Sequence, residues 1–334
     1  MHAFPILAAD IGGTNARFTV VEADGRTAPL GTFGTRDFES AEAAACHALE
    51  SWPGERPQAA VMALACPISG ETFPLTNADW EIVPAEFLEM TGFLQLSIMN
   101  DFMAQGLASI TLPMKDLHQI GGAARDEDAP RVIVGPGTGL GVALAVKADE
   151  KWVVIPGEGG HVDLGPRSER EFAIWPFLRK QAGRMEAELA ISGQGLENLC
   201  RAVRRADGLE PGSMRAAEIS KLALADEDVH AREAVETMTR LLARLAGDLA
   251  ITTMARGGIY LAGGIAQHVL PILDAPEFRT TFDDKTPFSA IMREMPIYVM
   301  TAKDAAITGI AGYVCNPERF APGNGIRHFR HKTH

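Results

Sequence analysis

Apolar positions along the chain gather in short runs, separated by stretches whose hydrophobic residues recur at helical spacing. The runs at 6–9, 18–21, 60–65, 94–99, 132–134, 142–146, 152–155, 259–262 and 297–300 predict β-strands. A helix is predicted from Ser168, where Ser-Glu-Arg-Glu171 has the form of a capping box and Phe172, Ile174, Trp175 and Leu178 follow. Met238, Leu241, Leu242, Leu245 and Leu249 mark a long core helix, a stripe read as packing and assigned no chemistry. Strands interleaved with helices give an α/β class.

One pattern occurs twice. At 6–21 a strand runs into Asp10-Ile-Gly-Gly-Thr-Asn-Ala-Arg17 and out into a second strand, and at 131–147 a strand runs into Gly135-Pro-Gly-Thr-Gly-Leu-Gly141 and out again. Two hairpins with Gly/Thr tips, one early in each half, predict two related halves facing each other, divided in the polar stretch 121–130 or just before it near Pro113.

A length of 334 residues predicts roughly two domains of about 150 residues. With 46% hydrophobic and 22% charged residues the composition is globular, which excludes disorder, collagen and coiled coil. The net charge of -12 argues against nucleic-acid and anionic-membrane partners; the only basic stretch is the short tail from Arg327 to His334, expected to fray. The N-terminus lacks a basic leader and no apolar run approaches membrane-spanning length. Cys46, Cys66, Cys200 and Cys315 are too dispersed for a zinc site, so reduced thiols in a cytoplasm are expected.

Several glycines in one turn let successive N–H groups converge on an anion, and a threonine hydroxyl adds a donor. The 135–141 turn fits that description but lacks the lysine of a Walker loop, and a strand rather than a helix follows it. One such turn is also explained as a tight hairpin. Two, each with a threonine, favour phosphates held at hairpin tips. Asp10 ends the first strand and is a candidate holder of hydrated Mg²⁺; Arg17 is open between a role at the anion and a solvated charge. The step Ala262-Gly-Gly-Ile265 suits either a nucleoside lying against backbone or close strand-to-helix packing. The nucleotide candidates are therefore Asp10, Gly12, Gly13, Thr14, Asn15, Arg17, Gly137, Thr138, Gly139, Gly263 and Gly264.

Asp101 falls at a strand end and helix start, where it is either the helix N-cap or a general base for an attacking hydroxyl. Pro156-Gly-Glu-Gly-Gly-His161 puts Glu158 and His161 on a glycine-lined loop. Proline and glycine oppose the helix that a carboxylate metal motif would need, and a carboxylate beside an imidazole suits the paired donors and acceptors of a polyol.

Those turns, with Ala65-Cys-Pro-Ile-Ser-Gly70, Thr76-Asn-Ala-Asp-Trp80, Asn100-Asp101-Phe102, Gly-Glu-Gly-Gly-His-Val-Asp163 and Ala262-Gly-Gly-Ile265, resemble the bacterial glucokinase family over about residues 6–315. The resemblance implies the two-domain actin-like ATPase/sugar-kinase (ribonuclease H-like) α/β fold with an interdomain cleft. It implies a small domain, 1–112, rejoined by a C-terminal helix at about 304–318, and a large domain, 113–303. Asp101 becomes the base for the glucose 6-hydroxyl, and Asn100, Glu158 and His161 match positions that bind other hydroxyls. The last sugar carboxylate falls on Glu188, with Glu186 competing for the assignment. ATP, Mg²⁺, glucose and a homodimer complete the expectation. The cysteine-rich zinc motif of related repressor/kinase families is missing after His161. A glucokinase is thus expected; alternatives are a kinase for another hexose or amino sugar, a silent sugar sensor, which Asp101 disfavours, and a chaperone-like ATPase, which the Glu158/His161 loop disfavours.

Overall fold

The computed structural model describes residues 3–76, 78–321 and 325–331, with only the backbone of 179–182. Asn77 of the Thr76–Trp80 stretch, and Asn324 and 332–334 of the tail, lie outside the described residues. The strands are β1 (Ile6–Ile11), β2 (Asn15–Val21), β3 (Thr27–Gly34), β4 (Ala59–Leu64), β5 (Phe73–Pro74), β6 (Glu81–Ile82), β7 (Gln95–Asn100), β8 (Leu117–Gln119), β9 (Arg131–Pro136), β10 (Leu140–Ala148), β11 (Lys151–Gly157), β12 (Ile259–Leu261), β13 (Ile297–Met300) and β14 (Ile326–Arg330). Every strand predicted from the pattern is present. The helices are α1 (Ala41–Glu50), α2 (Pro84–Thr91), α3 (Asp101–Thr111), α4 (Glu169–Ala182), α5 (Gly193–Ala206), α6 (Ala216–Ala225), α7 (Val229–Thr253), α8 (Gly264–His268), α9 (Leu270–Leu273), α10 (Pro276–Asp283), α11 (Ser289–Glu294) and α12 (Ala305–Cys315). No helix among the described residues is long and apolar enough to cross a membrane.

The chain divides into two compact units, one of residues 1–113, 145–156 and 302–334 and the other of 114–144 and 157–301. In the first, a six-stranded sheet has the order β14-β7-β4-β1-β2-β3. β1, β4 and β7 run parallel in its centre, and β4, Ala-Ala-Val-Met-Ala-Leu, is buried throughout. A continuous apolar run is what a strand covered on both faces requires. Helix α12 packs on α3, and Gly309 and Gly312 make that approach possible: a Cβ at Gly309 would overlap the Ala104 carbonyl, and one at Gly312 the Thr111 side chain.

In the second unit the sheet order is β11-β10-β9-β12-β13-β8, with β9, β12 and β13 parallel; β10 and β11 leave this unit at Leu144 and re-enter it at Gly157. Met238, Leu241, Leu242 and Leu245 of α7 are buried in its core, and Leu249 packs against it. The capping box at Ser168 forms: the Ser168 hydroxyl accepts the Glu171 N–H at 3.2 Å, and the Glu171 carboxylate accepts the Arg167 N–H at 2.7 Å. Glu171 also meets Arg244 of α7 at 2.9 Å in the interior, so the cap pins α4 to the core helix.

The basic tail is not frayed where it is described. β14 pairs antiparallel with β7 from Ile326↔Met99 to Arg330↔Gln95, and the His328 Nδ1 lies 2.8 Å from the Ser97 hydroxyl. Phe329 packs edge-on to the buried Phe73 ring at 6.0 Å, with the Arg327 guanidinium over both rings. A parallel strand at a sheet margin needs a partner for its outward N–H and C=O groups, and a strand rich in arginine is a suitable edge. Phe329→Ala is expected to lower stability by about 1–3 kcal/mol, below the range for a fully buried phenylalanine because Phe329 is half-buried. Urea denaturation followed by fluorescence measures it, and an unchanged midpoint would return the tail to fraying.

Candidate active site

Parallel register collects the first set of candidates at one end of one sheet. Ile11 is level with Leu64, and Leu64 with Asn100, so the turn after β1 and the Asn100-Asp101 step both emerge at the carboxyl ends of parallel strands. In open α/β sheets that edge is where ligands bind. The turn is held from outside: buried Thr35 donates its N–H to the Thr14 carbonyl and its hydroxyl to the Gly13 carbonyl, each at 3.0 Å. The Gly12 N–H is satisfied by the Asn15 carbonyl at 2.9 Å. These bonds hold the backbone of the turn in one shape.

The Arg17 side chain is 40% exposed and also ion-paired. Its guanidinium meets the Asp10 carboxylate at 3.0 Å and approaches Asp304 at 3.9 Å. Burial pushes the Asp10 carboxyl above its ordinary range, Arg17 opposes that shift and the Asp304 charge adds to it. Among the described residues no three His, Cys, Asp or Glu side chains gather to hold a metal. A mostly buried carboxylate with a second one nearby fits an ion that keeps most of its water and takes one or two protein oxygens.

The capping role weighed for Asp101 belongs to its neighbour. Asn100 is the N-cap of α3, its side-chain oxygen accepting the Phe102 N–H at 2.9 Å while its amide donates to the Cys66 carbonyl at 3.3 Å. Asp101 is the first helical residue, its Oδ1 also 2.9 Å from the Phe102 N–H and its side chain partly exposed. A helix N-terminus favours the ionised carboxylate. Burial first, and the Asp101 charge second, push the Cys66 thiol up to about 11.

In the second unit, β9 and β12 run level from Val132↔Ile259 to Val134↔Leu261, so the 137–139 turn and the Gly263-Gly264 step emerge at the same sheet end. Glycine is required on both sides of that crossing. A Cβ at Gly135 would overlap the Ala262 carbonyl, and one at Gly263, where φ is +87°, would lie 2.7 Å from the Pro136 carbonyl. Within the turn the Gly137 N–H bonds the Gly139 carbonyl at 2.8 Å, and the Gly193 N–H at the start of α5 bonds the Gly137 carbonyl at 2.9 Å.

The Glu158–His161 loop packs on the back of this turn. Residues Gly159–His161 form one turn of 3-10 helix, and a Cβ at Gly160 would overlap the Leu140 carbonyl. Glu158 is exposed, and His161 lies with Nε2 3.8 Å from Glu158 and Nδ1 3.4 Å from Glu186. Arg184 clips the loop, donating to the His161 carbonyl at 2.9 Å, to Asp163 at 2.7 Å and to Glu186 at 2.6 Å. The two carboxylates left in competition thus separate: Glu186 faces His161, while Glu188 accepts the Leu140 N–H of the glycine turn at 2.8 Å. Thr35, Arg184 and Gly193 carry no motif that pattern reading detects. Only the run of glycines around position 160 signals a close approach.

Each unit thus carries a glycine-rich turn at the carboxyl end of its parallel strands, with Asp101 at that end of the first sheet and with Glu188 and the Glu158–His161 loop against the turn in the second. The family model for glucokinase matches residues 7–316. The chain is 45% identical to a glucokinase of Sinorhizobium fredii, over 98% of this chain and 97% of that one. It is similar in structure to a glucokinase from an Antarctic psychrotroph, with a TM-score of 0.81, 31% identity and coverage of 94% and 100% of the two chains. At the level of fold, a ROK family glucokinase from Streptomyces griseus, in complex with glucose and AMPPNP, aligns with a TM-score of 0.62 and 18% identity over 93% and 99% of the chains. These matches run the length of the sheets that carry both turns, and the chain belongs to the glucokinase family.

Proposed function

We propose that this chain transfers the terminal phosphoryl group of ATP to the 6-hydroxyl of glucose, giving glucose 6-phosphate and ADP. The observation that carries the proposal is the register of β1, β4 and β7, which sets the Asp101 carboxylate and the Gly12–Asn15 turn at one end of one sheet. Asp101 accepts the proton of the 6-hydroxyl as its oxygen attacks phosphorus and ADP leaves. Asn100, Glu158, His161 and Glu188 hold the remaining hydroxyls, charged acceptors giving the stronger bonds. Gly12, Gly13, Thr14 and Asn15, with Gly137, Thr138 and Gly139, hold the phosphates. Gly263 and Gly264 leave backbone open to the nucleoside. Phosphoryl transfer asks chiefly for positioning and charge compensation.

Asp10, with Arg17 beside it, would hold through water the Mg²⁺ that accompanies ATP. That ion supplies positive charge against the phosphates, which matters because the 135–141 turn contains no Lys or Arg. Residues 1–112 with the helix near 304–318 are read as the small domain and 113–303 as the large one, the protein working as a cytoplasmic homodimer on glycolytic glucose.

A coupled ADP-release assay with glucose, mannose, fructose and no sugar tests the activity. Glucose-dependent turnover is expected. Preference for another hexose would reassign the substrate, sugar-independent turnover would make the chain an ATPase, and glucose binding without turnover would make it a sensor. Asp101→Asn is expected to lower kcat by about 10²–10⁴ with a much smaller effect on glucose binding. Turnover at the unmodified rate would leave Asp101 no role as base. Glu158→Gln is expected to weaken glucose binding by about 1.5–3 kcal/mol, measured calorimetrically, and an unchanged Kd would remove it from the sugar site.

A further inference from the structure

Two elements close on the backbone of Leu140. Its N–H donates to Glu188 Oε2 at 2.8 Å, and its carbonyl lies where a Cβ on Gly160 would be. Glu188 also presses on the turn itself, since a Cβ at Gly139 would come within 2.5 Å of the same Oε2. The carboxylate therefore fills the space behind the Gly137–Gly139 backbone and fixes the direction of the peptide that closes it. With the Gly137 N–H spent on the Gly139 carbonyl and the Leu140 N–H on Glu188, the donors left for an anion are the Thr138 and Gly139 amides and the Thr138 hydroxyl.

We infer that Glu188 is a positioning residue for the phosphate turn as well as a ligand for sugar. Oε2 sets the geometry of the turn through Leu140, and Oε1 is left to a sugar hydroxyl. Because one rigid carboxylate serves both, a hydroxyl bound at Oε1 restricts the rotation of the group that holds Leu140, and binding of sugar tightens binding of nucleotide. A residue that only touched sugar would have no influence on nucleotide when sugar is absent. This inference rests on the reading of the 137–139 turn as a phosphate site, and the measurements below separate the two.

The test is the Kd of magnesium AMPPNP by calorimetry, without sugar and with saturating glucose, together with hydrogen exchange at the Leu140 amide. Wild type, Glu188→Gln, Glu188→Ala and Thr138→Val are compared. Glu188→Gln keeps an oxygen for the Leu140 N–H, so its sugar-free AMPPNP affinity is expected within about twofold of wild type and its exchange slow, although glucose binds more weakly. Glu188→Ala is expected to loosen AMPPNP about tenfold without sugar, to speed exchange at Leu140 and to abolish the tightening by glucose. Wild-type sugar-free affinity in a folded Glu188→Ala, with Thr138→Val impaired, would overturn the positioning role and leave the nucleotide reading intact. Thr138→Val binding AMPPNP as wild type does would overturn the nucleotide reading and the inference with it. If Glu188→Ala does not fold, Glu188→Asp replaces it: one methylene shorter, it keeps the charge but loses the reach, and it must loosen AMPPNP without sugar for the inference to stand.

Discussion

The backbone at Leu140 is the point on which the geometry of the glycine turn in the second unit depends. Its N–H is held by Glu188 from the 3-10 turn after α4, and its carbonyl, in the next peptide, lies against Gly160 of the Gly159–His161 turn. The Gly137–Gly139 turn and the Glu158–His161 loop therefore meet on one stretch of backbone. A buried peptide group left without its partner costs about 1–3 kcal/mol, enough to keep the turn from relaxing into an ordinary hairpin. The first unit solves the same problem with a neutral group: Thr35, at the end of β3, takes the Gly13 and Thr14 carbonyls. In both cases a glycine-rich tip that is free to take many shapes is given one shape by a side chain outside it.

That division of labour explains what pattern reading reached. Apolar runs and glycine turns are local, and the strands, α4, α7 and both tips follow from them. Strands β3, β5, β6, β8 and β14 do not. Thr27–Gly34 carries Pro29 and Gly31 and pairs with β2 through a register shift at Phe18/Thr19, β8 has three residues, and β14 is dominated by charge. Their strand character comes from the neighbour whose edge they complete, so only tertiary context can disclose it. The two clamps fall in the same class, because Thr35 lies 22 residues from Gly13 and Glu188 lies 48 from Leu140.

The Asn100-Asp101 step shows how a single residue of register separates structure from chemistry. Either side chain can cap a helix, and sequence alone leaves both open. β7 runs through Asn100, so the capping geometry falls on the asparagine and the next residue begins α3. The Asn100 side chain takes the cap position and shares the Phe102 N–H with the Asp101 carboxylate, which sits on the first turn, where backbone N–H groups favour its charge. A strand running one residue further would have put Asp101 itself at the cap position.

Charge sets the remaining constraint. Asp10, Asp101, Glu158, Glu186 and Glu188 surround the two turns, while Arg17 is already paired with Asp10 and Arg184 with Asp163 and Glu186. Neither the Gly12–Asn15 turn nor the Gly137–Gly139 turn contains a Lys or Arg. Neutral amide dipoles orient an anion but do not balance it. On the proposed function the carboxylates near the turns have a use: hydroxyls need acceptors, carboxylates are strong ones, and phosphates bound beside them would come with countercharge attached.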